Sequence, residues 1–377
     1  MFKITSDDGN GSARTGEIKT AHGIVQTPFF MPVATKLTIK HISLPELMEI
    51  GGQSVIVNAY ISWLRPGLDL VKEAGGVHKF MNFDRCVFSD SGGFQMLSPS
   101  FLQEINDKGV RFSDPFSGRK HFLKPEDVIN IERQLGSDIA MCLDHVASIK
   151  SERAAAEDAV RRTHLWAERC KKFHDSCDQK TIYGNRQLLF GIAQGGLFKD
   201  LREKSAKFID GLDFDGVALG GLCIGETKHE MAKAIQWQMP YFSENKPRYL
   251  MGVGSPQDII EAVSMGVDCF DSIYPTQNAR HCQIFTRKGM IKLDKGKFKE
   301  DFGPLDPECD CYVCKTFSRA YLHHLARSSE WTHHRYLSYH NVHWMIKFME
   351  RMRAAIAKGE FNDFRKEFLA DYITKKK

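Results

Sequence analysis

Apolar residues in this chain cluster in short runs separated by longer stretches of mixed polarity. The runs are FFMPVAT (29–35), VIVNAY (55–60), RCVFSDSGG (85–93), DIAMCLDHV (138–146), LLFGIAQGG (188–196), GVALGGL (216–222), RYLMGVG (248–254) and DCFDSI (268–273). Most are continuously apolar rather than alternating, the pattern of parallel strands covered on both faces. The connectors carry apolar residues at helical spacing. PEDVINIERQ (125–134) has acids in its first turn, where the helix dipole favours them, and SPQDIIEAVSMG (255–266) opens on Ser-Pro and closes on glycine. Residues 151–173, 200–209 and 228–239 read likewise as helices. Eight strands alternating with helices predict an α/β chain of the (β/α)8 TIM-barrel class. An open doubly wound sheet is the alternative, but no GxGxxG turn follows the first strand.

Two segments interrupt the alternation. Residues 98–124 contain GVRFSDPFSGRKHF, predicted as a hairpin inserted after the third strand. Residues 282–345 hold a cysteine cluster and most of the histidines, and the stretch from about 341 to the solvated KKK tail reads as one or two amphipathic helices. The expected organisation is a barrel over 1–281, a zinc-binding subdomain over 282–345 and a helical segment over 346–377 that packs on the barrel.

Chemistry in such barrels gathers at the carboxyl ends of the strands. There the chain places Asp90, Asp144, Gln194, the Gly220–Gly221 pair and Asp271. A single strand-end aspartate is ordinarily a loop or helix cap. Three of them around one mouth, with a glutamine and the glycine turns SGGFQ, AQGGL and ALGGL, instead suit a flat ligand rich in hydrogen-bonding edges, such as a nucleobase. Phe94 and Met251 stand where they could cover its faces, although either would serve equally as core.

CDCYVC brings Cys309, Cys311 and Cys314 within six residues, which matches a tetrahedral zinc site lacking one ligand. Spacing leaves His323, His324, His333, His334, His340 and His343 all open as the fourth. A site closed by four protein ligands would be structural. The run TRKGMIKLDKGKFK (286–299), with Arg287, Lys288, Lys292, Lys295, Lys297 and Lys299, is either a solvated edge or a phosphate-contacting surface.

Bulk composition adds little. Hydrophobic residues make up 42% and charged residues 26%, with a formal net charge of +5, which permits a nucleic-acid partner without requiring one. The polar start MFKITSDDGNGSARTGEIKT lacks an apolar signal segment, no run reaches the length of a membrane span, and ten cysteines without an export signal read as reduced thiols or metal ligands. A soluble cytoplasmic protein is expected.

Taken together, SDSGGFQ (89–95), Asp144, GIAQGG (191–196), ALGGLCIGE (218–226), YLMGVGSP (249–256), FDSIYPTQNAR (270–280) and CDCYVC followed by SRAYLHHL (318–325) resemble the tRNA-guanine transglycosylase family. The resemblance covers nearly the whole chain in order. It implies a zinc-bearing (β/α)8 barrel that exchanges the wobble guanine of GUN-anticodon tRNAs for a 7-deazaguanine base, queuine or preQ1. It implies Asp271 as nucleophile and Asp90 as general acid/base. Asp144, Gln194, Gly221 and the Leu222 backbone would recognise the base, with Ser91 as a helper. Phe94 and Met251 would sandwich it, and Glu226 would sense its seven-substituent. Cys309, Cys311, Cys314 and His340 would bind structural Zn2+, and Gln277 and Arg280 would meet the anticodon loop. A homodimer is implied, with pairing to a family paralogue the other possibility.

The chain departs from the bacterial pattern in places. PTQNARHC has Gln277 where an arginine is usual and Cys282 where a glycine is usual, leaving Arg280 as the remaining basic contact. His145 and Val146 follow Asp144; Val146 favours an apolar pocket wall and hence queuine, whereas Ile224 is bulkier than the glycine expected in a queuine pocket. Two other functions compete. A retaining glycoside hydrolase would want aromatic platforms, yet Trp237, Trp331 and Trp344 fall in connectors or the carboxyl region, and the zinc motif would stay unexplained. A non-catalytic barrel subunit would be expected to have lost Asp90 or Asp271, and both are present.

Overall fold

The computed structural model describes residues 2–9, 11–96, 98 and 100–372. All eight apolar runs contain strands of one parallel sheet: β1 (Phe29–Pro32), β2 (Ser54–Asn58), β3 (Cys86–Asp90), β4 (Ile139–Met141), β5 (Leu188–Ala193), β6 (Gly216–Leu219), β7 (Arg248–Leu250) and β8 (Cys269–Ser272). Each strand pairs with its sequence neighbour, and β8 pairs with β1 so that Asp271 faces Met31 in register. The last gap, between β1 and β2, is closed by a parallel bridge between Val33 and Ile56, with the Ala34 N–H donating to the Ile56 carbonyl at 2.8 Å. The sheet is a closed barrel. Helices α1 (Pro125–Leu135), α2 (Arg153–Ser176), α3 (Lys199–Gly211), α4 (Lys228–Gln238) and α5 (Pro256–Ser264) cover its outside, within three residues of the predicted spans.

Strand alternation decides what reaches the mouth. Phe29, Met31, Ile56, Phe88, Ile139, Met141, Phe190, Ile192, Ala218, Tyr249 and Cys269 fill the interior. Counting two residues onward from Ile56, Phe88, Ile192, Ala218, Tyr249 and Cys269 gives Asn58, Asp90, Gln194, Gly220, Met251 and Asp271. The strands thus carry apolar side chains through the barrel, and at Asn58, Asp90, Gln194 and Asp271 they switch to polar ones in its top layer.

The floor of the barrel has no counterpart in the sequence reading. Three antiparallel strands, Phe2–Asp7, Arg14–Thr20 and Gly23–Thr27, form a small sheet whose Phe2, Ile18 and Val25 close the interior from below. The Arg14 guanidinium grips the Asp268 carboxylate with two bonds, Nε–Oδ1 at 3.0 Å and Nη2–Oδ2 at 2.7 Å, fastening this sheet to the entry of β8. Nearby, Asp138 at the entry of β4 accepts from His22 Nδ1 at 2.8 Å and His78 Nε2 at 2.9 Å, and the two imidazoles stack 3.5 Å apart.

Residues 102–123 form three antiparallel strands, Leu102–Asn106, Gly109–Ser113 and Lys120–Leu123, one more than the expected hairpin. After β8 come α6 (Tyr274–Arg280), a hairpin over 283–292, α7 (Thr332–Ala357) and α8 (Phe361–Asp371). The helix α7 runs unbroken through residue 345, where the sequence reading changes segment. Its Trp344 and Phe348 meet Phe364, Phe368 and Tyr372 in one aromatic cluster, and Arg365 of α8 pairs with Glu261 of α5. The KKK tail lies outside the described residues.

Candidate active site

A cavity of about 270 Å³ opens at the barrel mouth, and Asp90, Asp144 and Asp271 all line it. Strand ends β3 and β8 deliver Asp90 and Asp271, and the loop after β4 delivers Asp144. Apolar walls come from Val33, Ile56, Val57, Val146, Leu222, Ile224 and Met251.

The three carboxylates differ in their partners. Asp271 Oδ1 accepts from the Tyr249 hydroxyl at 2.6 Å and the Gly252 N–H at 2.7 Å, which leaves Oδ2 with no protein donor among the described residues. Burial raises its proton affinity, and these two donors oppose the rise. Asp90 Oδ2 accepts from Asn58 Nδ2 at 2.9 Å. Burial first, then the like charges of Asp144 and Asp271, push its pKa up to about 7. Asp144 accepts from Gln194 Nε2 at 2.6 Å, and burial holds its pKa at about 6 against that bond. No lysine or arginine lines the cavity among the described residues.

Gln194 is buried behind the glycine turn after β6. A Cβ on Gly220 would fall 2.5 Å from its Nε2, and one on Gly221 would fall 2.3 Å from its Oε1. Gly221 also has φ +64°, so both the nearby Gln194 amide and the left-handed backbone favour glycine here. Gly221, Leu222 and Met251 line the cavity. Ser91 is buried and accepts from the Gly93 N–H at 3.4 Å, holding the turn after β3. Glu226 faces its own loop, accepting from the N–H groups of Cys223 and Ile224, the latter at 3.0 Å. The side chain of Phe94 lies outside the described residues. Gln277 is exposed on α6, and Arg280 at the end of that helix is half-buried.

Two cavity residues escaped the sequence reading. Asn58 ends an apolar run in the same way as Asp90 and could have been found by that rule. Tyr249 looks like one more core aromatic until its hydroxyl is seen on Asp271.

A second cluster lies in the segment after the barrel. His340 Nδ1 stands 3.6 Å from Cys309 Sγ, 3.5 Å from Cys311 Sγ and 3.3 Å from Cys314 Sγ. Ordinary Zn–S and Zn–N bonds at tetrahedral angles give an S···N edge of about 3.6 Å, so the four side chains fit a zinc ion. The other His340 nitrogen donates to the Phe285 carbonyl at 2.8 Å, the outer bond that orients a ligating imidazole. Of the alternatives, His343 comes within 3.7 Å of Cys309 but turns Nε2 to Asp310, His323 bonds the Leu293 carbonyl, and His334 stacks on His41. In the basic run, Arg287 is engaged by Glu308 and Glu367, and Lys292 bonds the His281 carbonyl at 2.7 Å.

Comparison with known proteins agrees with this geometry. The family model for queuine tRNA-ribosyltransferase matches residues 8–374. The chain belongs to the queuine tRNA-ribosyltransferase family. Among relatives bearing that name, the protein of Desulforamulus reducens is 46% identical over 368 residues, covering 98% of this chain and 97% of its own. The Bacillus subtilis protein is 45% identical over 360 residues, covering 96% and 93%. The Halothermothrix orenii protein is 43% identical over 374 residues, covering 99% and 98%. Family membership accounts for the joint presence of the barrel and the Cys3His group. Among the described residues no helix is long and apolar enough to cross a membrane.

Proposed function

We propose that this protein exchanges the wobble guanine of GUN-anticodon tRNAs for a 7-deazaguanine base, queuine or preQ1, through a covalent tRNA–aspartyl intermediate. One observation carries the reading. Of three carboxylates in one cavity, Asp271 is anchored by two donors through one oxygen, whereas burial, and after it the like charges of Asp144 and Asp271, push the pKa of Asp90 up to about 7. Different surroundings of this kind suit chemically identical groups to different roles.

In this mechanism Asp271 Oδ2 attacks the ribose anomeric carbon. The glycosidic bond to guanine N9 breaks, and the departing nitrogen takes the proton held by Asp90. The incoming base then returns its N9 proton to Asp90 and attacks the same carbon, displacing the Asp271 carboxylate. Two inversions leave the configuration unchanged, as for retaining glycosidases. The edge of the base would meet Asp144, Gln194 and the amides after β6, with Ser91 holding the neighbouring turn and Glu226 shaping the loop beside the seven-substituent. Met251 and Phe94 would cover its faces. Gln277 and Arg280 on α6 would meet the anticodon loop.

Zn2+ held by Cys309, Cys311, Cys314 and His340 would cross-link the segment after the barrel and take no part in the exchange. The expected partner is a second copy of the chain. Phe302, Tyr312 and Tyr321, exposed by 80%, 42% and 43%, support this by giving the zinc segment an apolar surface.

The test is a denaturation-resistant adduct between protein and tRNA, expected for the wild type and absent in Asp271→Asn. Exchange by that variant at the wild-type rate would remove the nucleophile assignment. For the inserted base, the apolar contact from Val146 favours queuine. Incorporation of preQ1 but not queuine would overturn that preference.

A further inference from the structure

Arg202 is a buried cation that the mechanism above does not use. It projects from α3 and is 0% exposed. Its Nε donates to the Gly196 carbonyl at 2.7 Å, Nη1 to the Gly220 carbonyl at 2.7 Å and Gln238 Oε1 at 3.3 Å, and Nη2 to the Gly221 carbonyl at 3.1 Å. No carboxylate is within bonding distance among the described residues. Burying a guanidinium against carbonyls alone is an expensive way to stabilise a barrel, since an apolar side chain of similar volume would fill the space without the desolvation cost. The arrangement calls for another explanation.

The peptide bond supplies it. In a trans peptide the carbonyl and the following N–H point in opposite directions. Drawing the Gly220 and Gly221 carbonyls outward to Arg202 therefore turns the N–H groups of Gly221 and Leu222 the other way, and both residues line the cavity. No described residue accepts a bond from either N–H. The geometry points to Arg202 as a positioning residue. Its planar fork aims two adjacent backbone donors at the site where the ring carbonyl of a purine or 7-deazapurine base binds. This rests on the base-exchange reading above. Lysine keeps the charge but offers one compact ammonium in place of a rigid fork, so it cannot hold the three carbonyls in this arrangement.

The full-length protein tests this with two probes, guanine and 6-thioguanine, whose affinities are measured by calorimetry. The second keeps the N1–H edge and replaces the carbonyl oxygen by sulfur, a weaker acceptor. Wild-type protein is expected to prefer guanine by about 10-fold. Arg202→Lys should lose most of that ratio while zinc content and the KM for tRNA stay unchanged, a split that a purely structural arginine would not produce. Equal binding of the two bases by the wild type overturns the proposal even if the variant fails to fold, as does a folded Arg202→Lys that keeps the full ratio. A wild type that discriminates between the bases yet exchanges no guanine in tRNA would instead remove the functional reading and leave the cradle standing.

Discussion

The two ends of this barrel give their buried carboxylates different partners. At the floor, Asp138 sits between two histidines and is held at a pKa of about 2, and Asp268 is gripped by Arg14, which opposes but does not cancel the rise that burial imposes on it. At the mouth, Asp90, Asp144 and Asp271 share a cavity lined by no lysine or arginine among the described residues, and all three are raised. Burial acts on both sets. Counter-charge separates Asp138 from the mouth set: two imidazoles outweigh its burial, whereas the mouth aspartates meet only neutral donors and burial keeps them poised to take or release a proton.

Substitutions at the two ends should therefore fail in different ways. The largest effect is expected from Asp271→Asn, with base exchange reduced by about 10⁴-fold and the fold intact, read by single-turnover kinetics beside a thermal melt. Asp90→Asn should slow exchange by about 10²- to 10⁴-fold and abolish the limb of the pH–rate profile centred near 7. The sign of its stability effect is also defined. Because the folded pKa is raised, ionising Asp90 costs stability as pH climbs from about 4 to about 7, so the amide should melt higher than the wild type at pH 8 and equally at pH 4. Asp138→Asn should do the reverse. A depressed pKa contributes stability above the unfolded value of about 4 that is lost as pH falls toward 2, worth about 2 kcal/mol at neutral pH. Denaturant melts should show that loss while exchange by the folded fraction is unchanged. A rate collapse in Asp138→Asn without unfolding would erase the distinction between the ends. The smallest effect is expected at the rim, where Gln277→Arg should lower the KM for tRNA by about 2- to 5-fold and steepen its salt dependence without moving any carboxylate pKa.

The barrel was legible in the sequence because its strands are covered on both faces, so each appears as an uninterrupted apolar run. The mouth was legible because polar residues at the ends of such runs have few other reasons to be there. The floor sheet was not. Its strands present one face to solvent, and only Phe2, Ile18 and Val25 reach the interior, too few to stand out in a polar segment. Spacing alone did not separate His340 from His343, since both lie on one face of α7 and only the direction of the ring tells them apart. Arg202 was invisible for a related reason. In KDLREKSAKFIDG an arginine reads as one more charge on a solvated helix, and the turns and the Gln238 side chain that meet its guanidinium lie outside that helix in sequence.

The bond between Arg14 and Asp268 joins residues 254 positions apart, and Arg353 of α7 reaches the Pro28 carbonyl across 325. The first barrel strand is therefore flanked by partners synthesised long after it. Until the eighth strand is synthesised, the edge of β1 has neither its neighbour nor its fastening, and the apolar interior stays open at one seam. Such a chain is exposed to aggregation throughout translation and completes its barrel only in a late, cooperative step. Pausing or truncation before residue 268 should leave a species that chaperones recognise, however well its earlier strands are formed.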